Sequence, residues 1–211
     1  MNELVLYGDA GFLSPWVFHA LVALEEKRLP YRLETVPLPI PDVRRAAFQA
    51  HGVLGKVPML VHDELWVTES LAISEYLAER FPVPDHPRLF PADLGERARA
   101  RQVMSMIRTS LFALREARPT TSVFGRPVAT PLGEQAAADA AELVRVATAL
   151  VKPGATSMFA AWCIADADLG LALMRLVANG DPVPASVEAY ASAQFQRKSV
   201  RAYLARVPTT P

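Results

Sequence analysis

Cysteine is all but missing from this chain. Cys163 stands alone in 211 residues, which excludes an intramolecular disulfide framework and a Cys-x-x-Cys dithiol, so any thiol chemistry must draw its sulfur from outside. Histidine is sparse as well. His19, His51, His62 and His86 show no ligand spacing, Cys163 has no thiol companion, and no metal is expected. No apolar run approaches the roughly 20 residues of a membrane span. The chain opens on acidic Glu3 and a short apolar run instead of a basic segment and a long apolar one, so a cytoplasmic protein without membrane contact is the expectation. Net charge is lacking too, with 22 Lys and Arg against 22 Asp and Glu. Residues 1–81 hold 7 basic against 11 acidic side chains and the remainder 15 against 11. No basic arm or nucleic-acid motif accompanies that tilt, and nucleic acid is set aside as a partner.

What is present is a globular composition, 51% hydrophobic, at a length that suits one large domain or two small ones. Glu3 to Tyr7 reads as a strand, and Gly8-Asp9-Ala10-Gly11 as the loop that leaves it. Ser14 is a favoured N-cap residue with Pro15 at the first helical position, where a missing N–H costs nothing, and Val17, Leu21 and Leu24 supply the apolar spacing. Tyr31 to Val36 is a second strand. Three prolines in residues 37–41 carry the chain to a short helix, Val43 to Ala50. Met59 to Val61 and Leu65 to Val67 form a hairpin turning at His62-Asp63-Glu64, and a helix lined by Leu71, Ile73, Tyr76, Leu77 and Phe81 follows. Prolines between Pro82 and Pro91 stiffen a linker. Beyond it the pattern is helical: Ala92 to Ala117 with Val103, Ile107, Leu111 and Leu114 in register, then 132–151, 166–179, 184–190 and 191–205. Residues 119–131 read as a long loop, of a length that is usually functional or mobile.

Three stretches carry the chemistry. Gly55-Lys56-Val57-Pro58-Met59 puts a proline at the start of a buried strand, where it is tolerated. A cis Val57-Pro58 bond would leave the Val57 N–H and C=O facing a ligand that adds as an extended strand, although a plain turn proline reads the same way. Phe12-Leu13-Ser14-Pro15-Trp16 puts a hydroxyl at a helix N-terminus, where N–H groups and the helix dipole favour an anion; capping alone explains the same serine. Thr68-Glu69-Ser70 opens a later helix and can serve as a cap or as a carboxylate site.

Together these stretches resemble the N-terminal domain of the glutathione transferases. Cys163-Ile164-Ala165-Asp166 and the Arg115 to Phe124 segment look closest to the YfcF-like bacterial branch. The resemblance implies a thioredoxin-like glutathione-binding domain over residues 1–81 in β-α-β-α-β-β-α order, a linker at 82–91, and an all-helical domain over 92–211 that contributes the electrophile site. It implies Ser14 as the residue that activates the thiol of glutathione, used as co-substrate, with Tyr7 as competitor because some classes use a strand-end tyrosine. It implies glutathione contacts from Lys56, Val57, Pro58, Glu69 and Ser70, and a second-substrate site that includes Phe12, Arg108 and Arg115. In place of the family's Asn-Pro pair the chain has Gln49-Ala50-His51-Gly52. The implied activity is conjugation of glutathione to hydrophobic electrophiles and reduction of organic hydroperoxides, in detoxification and oxidative stress, by a homodimer; the alternative is a non-catalytic module of the same fold that binds proteins. Arg101, Arg108 and Arg115 recur every seven residues, as a solvated helix edge or an attractor of acidic ligands. Cys163 reads as an N-cap with Asp166 closing a capping box.

Overall fold

The computed structural model describes residues 3–208. The chain divides into two compact units, one ending at Leu89 and joined by Ala202–Pro208, the other spanning Phe90–Arg201. The first unit runs β1 (Leu4–Asp9), α1 (Pro15–Lys27), β2 (Tyr31–Val36), α2 (Asp42–Gly52), β3 (Met59–His62), β4 (Leu65–Thr68) and α3 (Ser70–Arg80). Its strands lie in the order β2-β1-β3-β4, with β1 parallel to β2 and antiparallel to β3, and β3 antiparallel to β4.

Successive side chains of β1 alternate between the faces of this sheet. Gly8 turns toward α1, and a Cβ there would come within 2.8 Å of the Val17 side chain, so glycine is what lets α1 lie this close. Tyr7 turns the other way, against Phe48 of α2 and Trp66 of β4. Val36, Phe48 and Met59 form the buried cluster on that face. Phe18, Leu21, Leu24, Ile73 and Leu77, all fully buried, fill the space where α1 and α3 pack.

The second unit holds α4 (Leu94–Thr109), α5 (Phe112–Ala117), α6 (Thr120–Phe124), α7 (Glu134–Leu150), α8 (Ile164–Val177) and α9 (Ala185–Gln196); α10 (Lys198–Leu204) begins in it. α8 is buried almost all round, as befits the central helix of a bundle. Gly170 admits α9, since a Cβ there would meet Gln194 at 2.6 Å.

Several boundaries differ from the sequence pattern. The helix expected over 92–117 breaks at Ser110, whose backbone is extended, and Leu111, which takes φ 59°. The break is supported from α7, where the Asp139 carboxylate accepts the Leu114 N–H at 3.1 Å near the start of α5. The 119–131 stretch is not structureless. It contains α6, and Arg118 beneath it donates to both carboxylate oxygens of Asp181 (2.6 and 2.8 Å) and to the Thr130 carbonyl. The last two helices part at Arg197, not at residue 190. Leu89 and Phe90, inside the proline-rich 82–91 stretch, are both buried. No helix among the described residues is long and apolar enough to cross a membrane.

Candidate active site

Strand register gathers most of the singled-out residues. Asp9 pairs with Val36, Tyr7 with Met59, and Met59 with Thr68. The end of β1, the start of β3 and the end of β4 therefore share one edge of the sheet. The loop before α1 (Phe12, Ser14), the approach to β3 (Lys56, Val57, Pro58) and the turn into α3 (Glu69, Ser70) all emerge there, with the N-termini of α1 and α3.

Ser14 is held on every side. Its Oγ accepts the Val17 N–H at 3.3 Å, capping α1. Its own N–H donates to Asp9 Oδ1 at 3.3 Å, Leu13 N–H donates to Asp9 Oδ2 at 2.8 Å, and Phe12 N–H donates to the Asp9 carbonyl at 3.1 Å. The Tyr203 hydroxyl donates to the Ser14 carbonyl at 3.2 Å. Asp9 is only 2% exposed, so the carboxylate that positions the loop is itself out of water. Burial, and then the charge of Asp9, push the Tyr203 phenol above its ordinary range, so it remains a donor. A hydroxyl that accepts one hydrogen bond still has its proton to give. The cap thus leaves the Ser14 O–H available to an anion at the head of α1.

Val57-Pro58 is a cis peptide. The Val57 side chain packs against the Phe48 and Met59 cluster, and its backbone lies outside the ladder, with no backbone hydrogen bond among the described residues. Lys56 is exposed. Glu69 is exposed at φ 67° and ψ 117°, conformations a non-glycine residue adopts at a cost, and its side chain makes no cap bond to α3. Ser70 beside it is 3% exposed. This sheet edge therefore presents a hydroxyl, an unladdered backbone segment, and a strained acidic residue at a second helix N-terminus.

The remaining candidates stand differently. Tyr7 stacks on Trp66 at 6.1 Å on the sheet face away from α1, inside an aromatic cluster. Phe12 is 8% exposed and meets Tyr203 edge-on at 5.8 Å, so its ring serves packing around the loop. Arg108 and Arg115 belong to the second unit. Arg108 forms an ion pair with Asp168, and Arg115 folds back to donate to the Arg108 carbonyl at 3.2 Å. Arg101 lies over the Phe90 ring at 5.6 Å, so the three do not form one plain solvated edge. Cys163 is 1% exposed and caps α8 in a reciprocal box with Asp166. Burial first, and the charge of Asp166 second, drive its thiol far above the usual range, which makes it inert. Among the described residues no three His, Cys, Asp or Glu side chains gather to hold a metal.

Sequence reasoning missed Asp9 and Tyr203. Asp9 has a local signal, a charged residue closing an apolar strand; Tyr203 has none.

Residues 13–80 match the family model for the glutathione S-transferase N-terminal domain, and residues 93–208 match that for the C-terminal domain. The chain belongs to the glutathione S-transferase family. A glutathione transferase homologue from Burkholderia gl BGR1, whose structure has bound glutathione, is 33% identical over 98% of both chains with a TM-score of 0.79. A maleylacetoacetate isomerase from Anaeromyxobacter dehalogenans 2CP-1 is 25% identical over the full length of both, with a TM-score of 0.66. Among curated proteins, bovine glutathione S-transferase theta-1 is 37% identical over 41% of this chain and 35% of its own length. Glutathione S-transferase T1 of Arabidopsis thaliana is 39% identical over 46% of this chain and 39% of its own. The chain thus spans less than half the length of the curated relatives it matches. The fold is that of this transferase family: a four-stranded mixed sheet with helices, followed by a helical domain.

Proposed function

We propose that this transferase binds glutathione at the sheet edge, uses the Ser14 hydroxyl to hold the bound sulfur as thiolate, and transfers it to a hydrophobic electrophile. The observation that carries the reading is the placement of Ser14: Asp9 and Tyr203 hold its backbone N–H and C=O at the head of α1, and its hydroxyl accepts the Val17 N–H, which leaves the hydroxyl proton to donate. The bound glutathione in the Burkholderia homologue supports the choice of peptide. In this reading the Val57 backbone pairs with the cysteinyl residue, Pro58 shapes that segment, Lys56 takes the glycyl side, and Glu69 and Ser70 take the amine and carboxylate of the γ-glutamyl end.

A free thiol near pKa 8.5 is only a few per cent ionised at pH 7, and lowering it by about two units requires roughly 2.7 kcal/mol. A hydrogen bond to a charged group supplies roughly 1.5–3 kcal/mol of that, and the dipole of α1 favours the same charge. The thiolate then attacks an electrophilic carbon, forming the S–C bond as the leaving group departs. With a hydroperoxide it attacks the terminal oxygen and the alcohol leaves; a second glutathione converts the sulfenic acid to disulfide and water. A homodimer acting in the cytoplasm completes the proposal. The Val17 N–H bond to Ser14 Oγ favours a second reading, a serine that only caps in a non-catalytic protein-binding module. Calorimetry with glutathione, followed by halogenated aromatics, enones and hydroperoxides, decides between them. Absence of glutathione binding leaves the non-catalytic module.

A further inference from the structure

Residues 202–208 fold with the first unit, although the whole of Phe90–Arg201 separates them from it in sequence. Tyr203 in this segment is fully buried. Its ring meets Phe12 edge-on at 5.8 Å and Phe18 at 5.1 Å, and its hydroxyl donates to the Ser14 carbonyl at 3.2 Å. Tyr203 therefore touches the loop before Ser14, Ser14 itself, and the start of α1 beyond it. Arg206 adds a weaker anchor along the same helix. It stands 3.9 Å from the carboxylate of Glu25, which also accepts the Tyr31 hydroxyl at 2.7 Å.

Pro15 is what makes the Tyr203 bond matter. The peptide that joins Ser14 to Pro15 has no N–H, so hydrogen bonds can fix its plane only at the Ser14 carbonyl. Two donors meet there, the Phe18 N–H at 3.0 Å, which opens the helical ladder of α1, and the Tyr203 hydroxyl. The Ser14 side chain has less hold of its own. Its Oγ accepts the Val17 N–H at 3.3 Å, beyond the roughly 2.7–3.2 Å of ordinary N–H···O bonds. Phe12, just before, takes φ 48°, a left-handed conformation that a bulky residue keeps only where its surroundings over-determine it. The Tyr203 ring is part of those surroundings. The phenol suits the task as well: burial, and then the charge of Asp9, hold its pKa above the ordinary range, so it remains a donor where a thiol titrates.

We propose that Tyr203 is a positioning residue of the thiol site: by fixing the Ser14–Pro15 peptide it keeps the Ser14 hydroxyl aimed at the bound sulfur. Residues 202–208 are thereby a working part of that site. This inference rests on the transferase reading above and extends it to a segment that supplies no atom to the peptide or the sulfur.

Thiolate absorbance of the glutathione complex, titrated from neutral to alkaline pH, tests the proposal in wild type, Tyr203→Phe, Ser14→Ala and the double variant. Tyr203→Phe keeps the ring against Phe12 and Phe18 and removes only the donor. It is expected to bind glutathione within about twofold of wild type, to raise the pKa of the bound thiol by about 0.5–1, and to lower kcat at pH 7 about three- to tenfold with KM for glutathione unchanged. The kcat defect narrows as pH rises. In the Ser14→Ala background the same change should leave the thiol pKa where it stands, because the hydroxyl acts through Ser14. A Tyr203→Phe protein whose Tm falls while its bound thiol titrates like wild type makes Tyr203 structural only and overturns the proposal. An undiminished shift in the Ser14→Ala background overturns it too. Tyr203→Met, flexible enough to fill the same space without a donor, carries the same expectation if the phenylalanine protein fails to fold. Failure of the transferase reading looks different. A wild-type complex whose thiol titrates like free glutathione overturns both, whereas a lowered wild-type pKa that Tyr203→Phe does not raise overturns this proposal alone.

Discussion

Asp166→Ala is the perturbation whose size follows most directly from the geometry. The Asp166 side chain is wholly buried and accepts three hydrogen bonds, from Cys163 N–H at 2.8 Å, Met158 N–H at 2.8 Å and the Tyr190 hydroxyl at 2.7 Å. A helix cap alone is worth about 1 kcal/mol. Here alanine would strand three buried donors, each at roughly 1–3 kcal/mol and not fully additive, so about 3–5 kcal/mol is expected. At this chain length that lowers Tm by about 6–20 °C. Tyr190→Phe should cost about 1 kcal/mol in wild type and less in Asp166→Ala, the signature of a shared network. Burial raises the Asp166 pKa above the ordinary carboxylate value despite those three bonds. Its stabilising contribution is therefore full below the unfolded pKa and falls as pH rises through the folded one, so the Asp166→Ala penalty shrinks across that window. Urea and thermal melts of the four proteins at pH 4 and pH 7, with turnover per folded molecule, make the assay. A loss of 1 kcal/mol or less, or an activity that collapses while Tm holds, refutes the reasoning.

Asp9→Asn puts an amide against the Leu13 or Ser14 N–H; it should cost about 1–3 kcal/mol and slow turnover while glutathione affinity holds. Unchanged turnover in a protein with a lowered Tm would make Asp9 structural only. Cys163 should resist Ellman's reagent in the native protein at pH 8 and react only as fast as the chain unfolds, because burial disfavours its thiolate; prompt native labelling would contradict this. Glu69→Gly relieves the positive φ and should not lower Tm, yet it should weaken glutathione by about tenfold. Unchanged affinity by calorimetry would remove Glu69 from the site.

The order of elements was legible because its signals are local. Ser14-Pro15 marks the start of α1, the strand-opening proline marks β3, and the alternation of β1 and the hairpin marks the sheet. What escaped depends on distant partners. The stripe Val103, Ile107, Leu111 and Leu114 is buried throughout, so nothing in its spacing betrays the break at 110–111; the supporting Asp139 comes from another helix. Residues 119–131 read as a loop because their Thr, Gly and Pro content is that of one, while their order comes from Arg118 bonded to Asp181. The stretches around Ser14, Val57 and Glu69 were visible as motifs. Their common sheet edge, and the bonds from Asp9 and Tyr203 that fix Ser14, follow only from pairing across the fold.

The central claim is that Ser14 stabilises a bound thiolate, and thiolate absorbance of the glutathione complex, titrated from neutral to alkaline pH, reads it without any electrophile. Wild type and Tyr7→Phe should both show a thiol pKa well below that of free glutathione, since Tyr7 packs on the sheet face away from α1. Ser14→Ala should still bind the peptide, lose about 1 kcal/mol of stability with its cap, and shift the bound thiol upward. Turnover at pH 7 should then fall roughly ten- to a hundredfold, with a defect that narrows as pH rises. A shift carried by Tyr7→Phe, with Ser14→Ala titrating like wild type, would contradict the account.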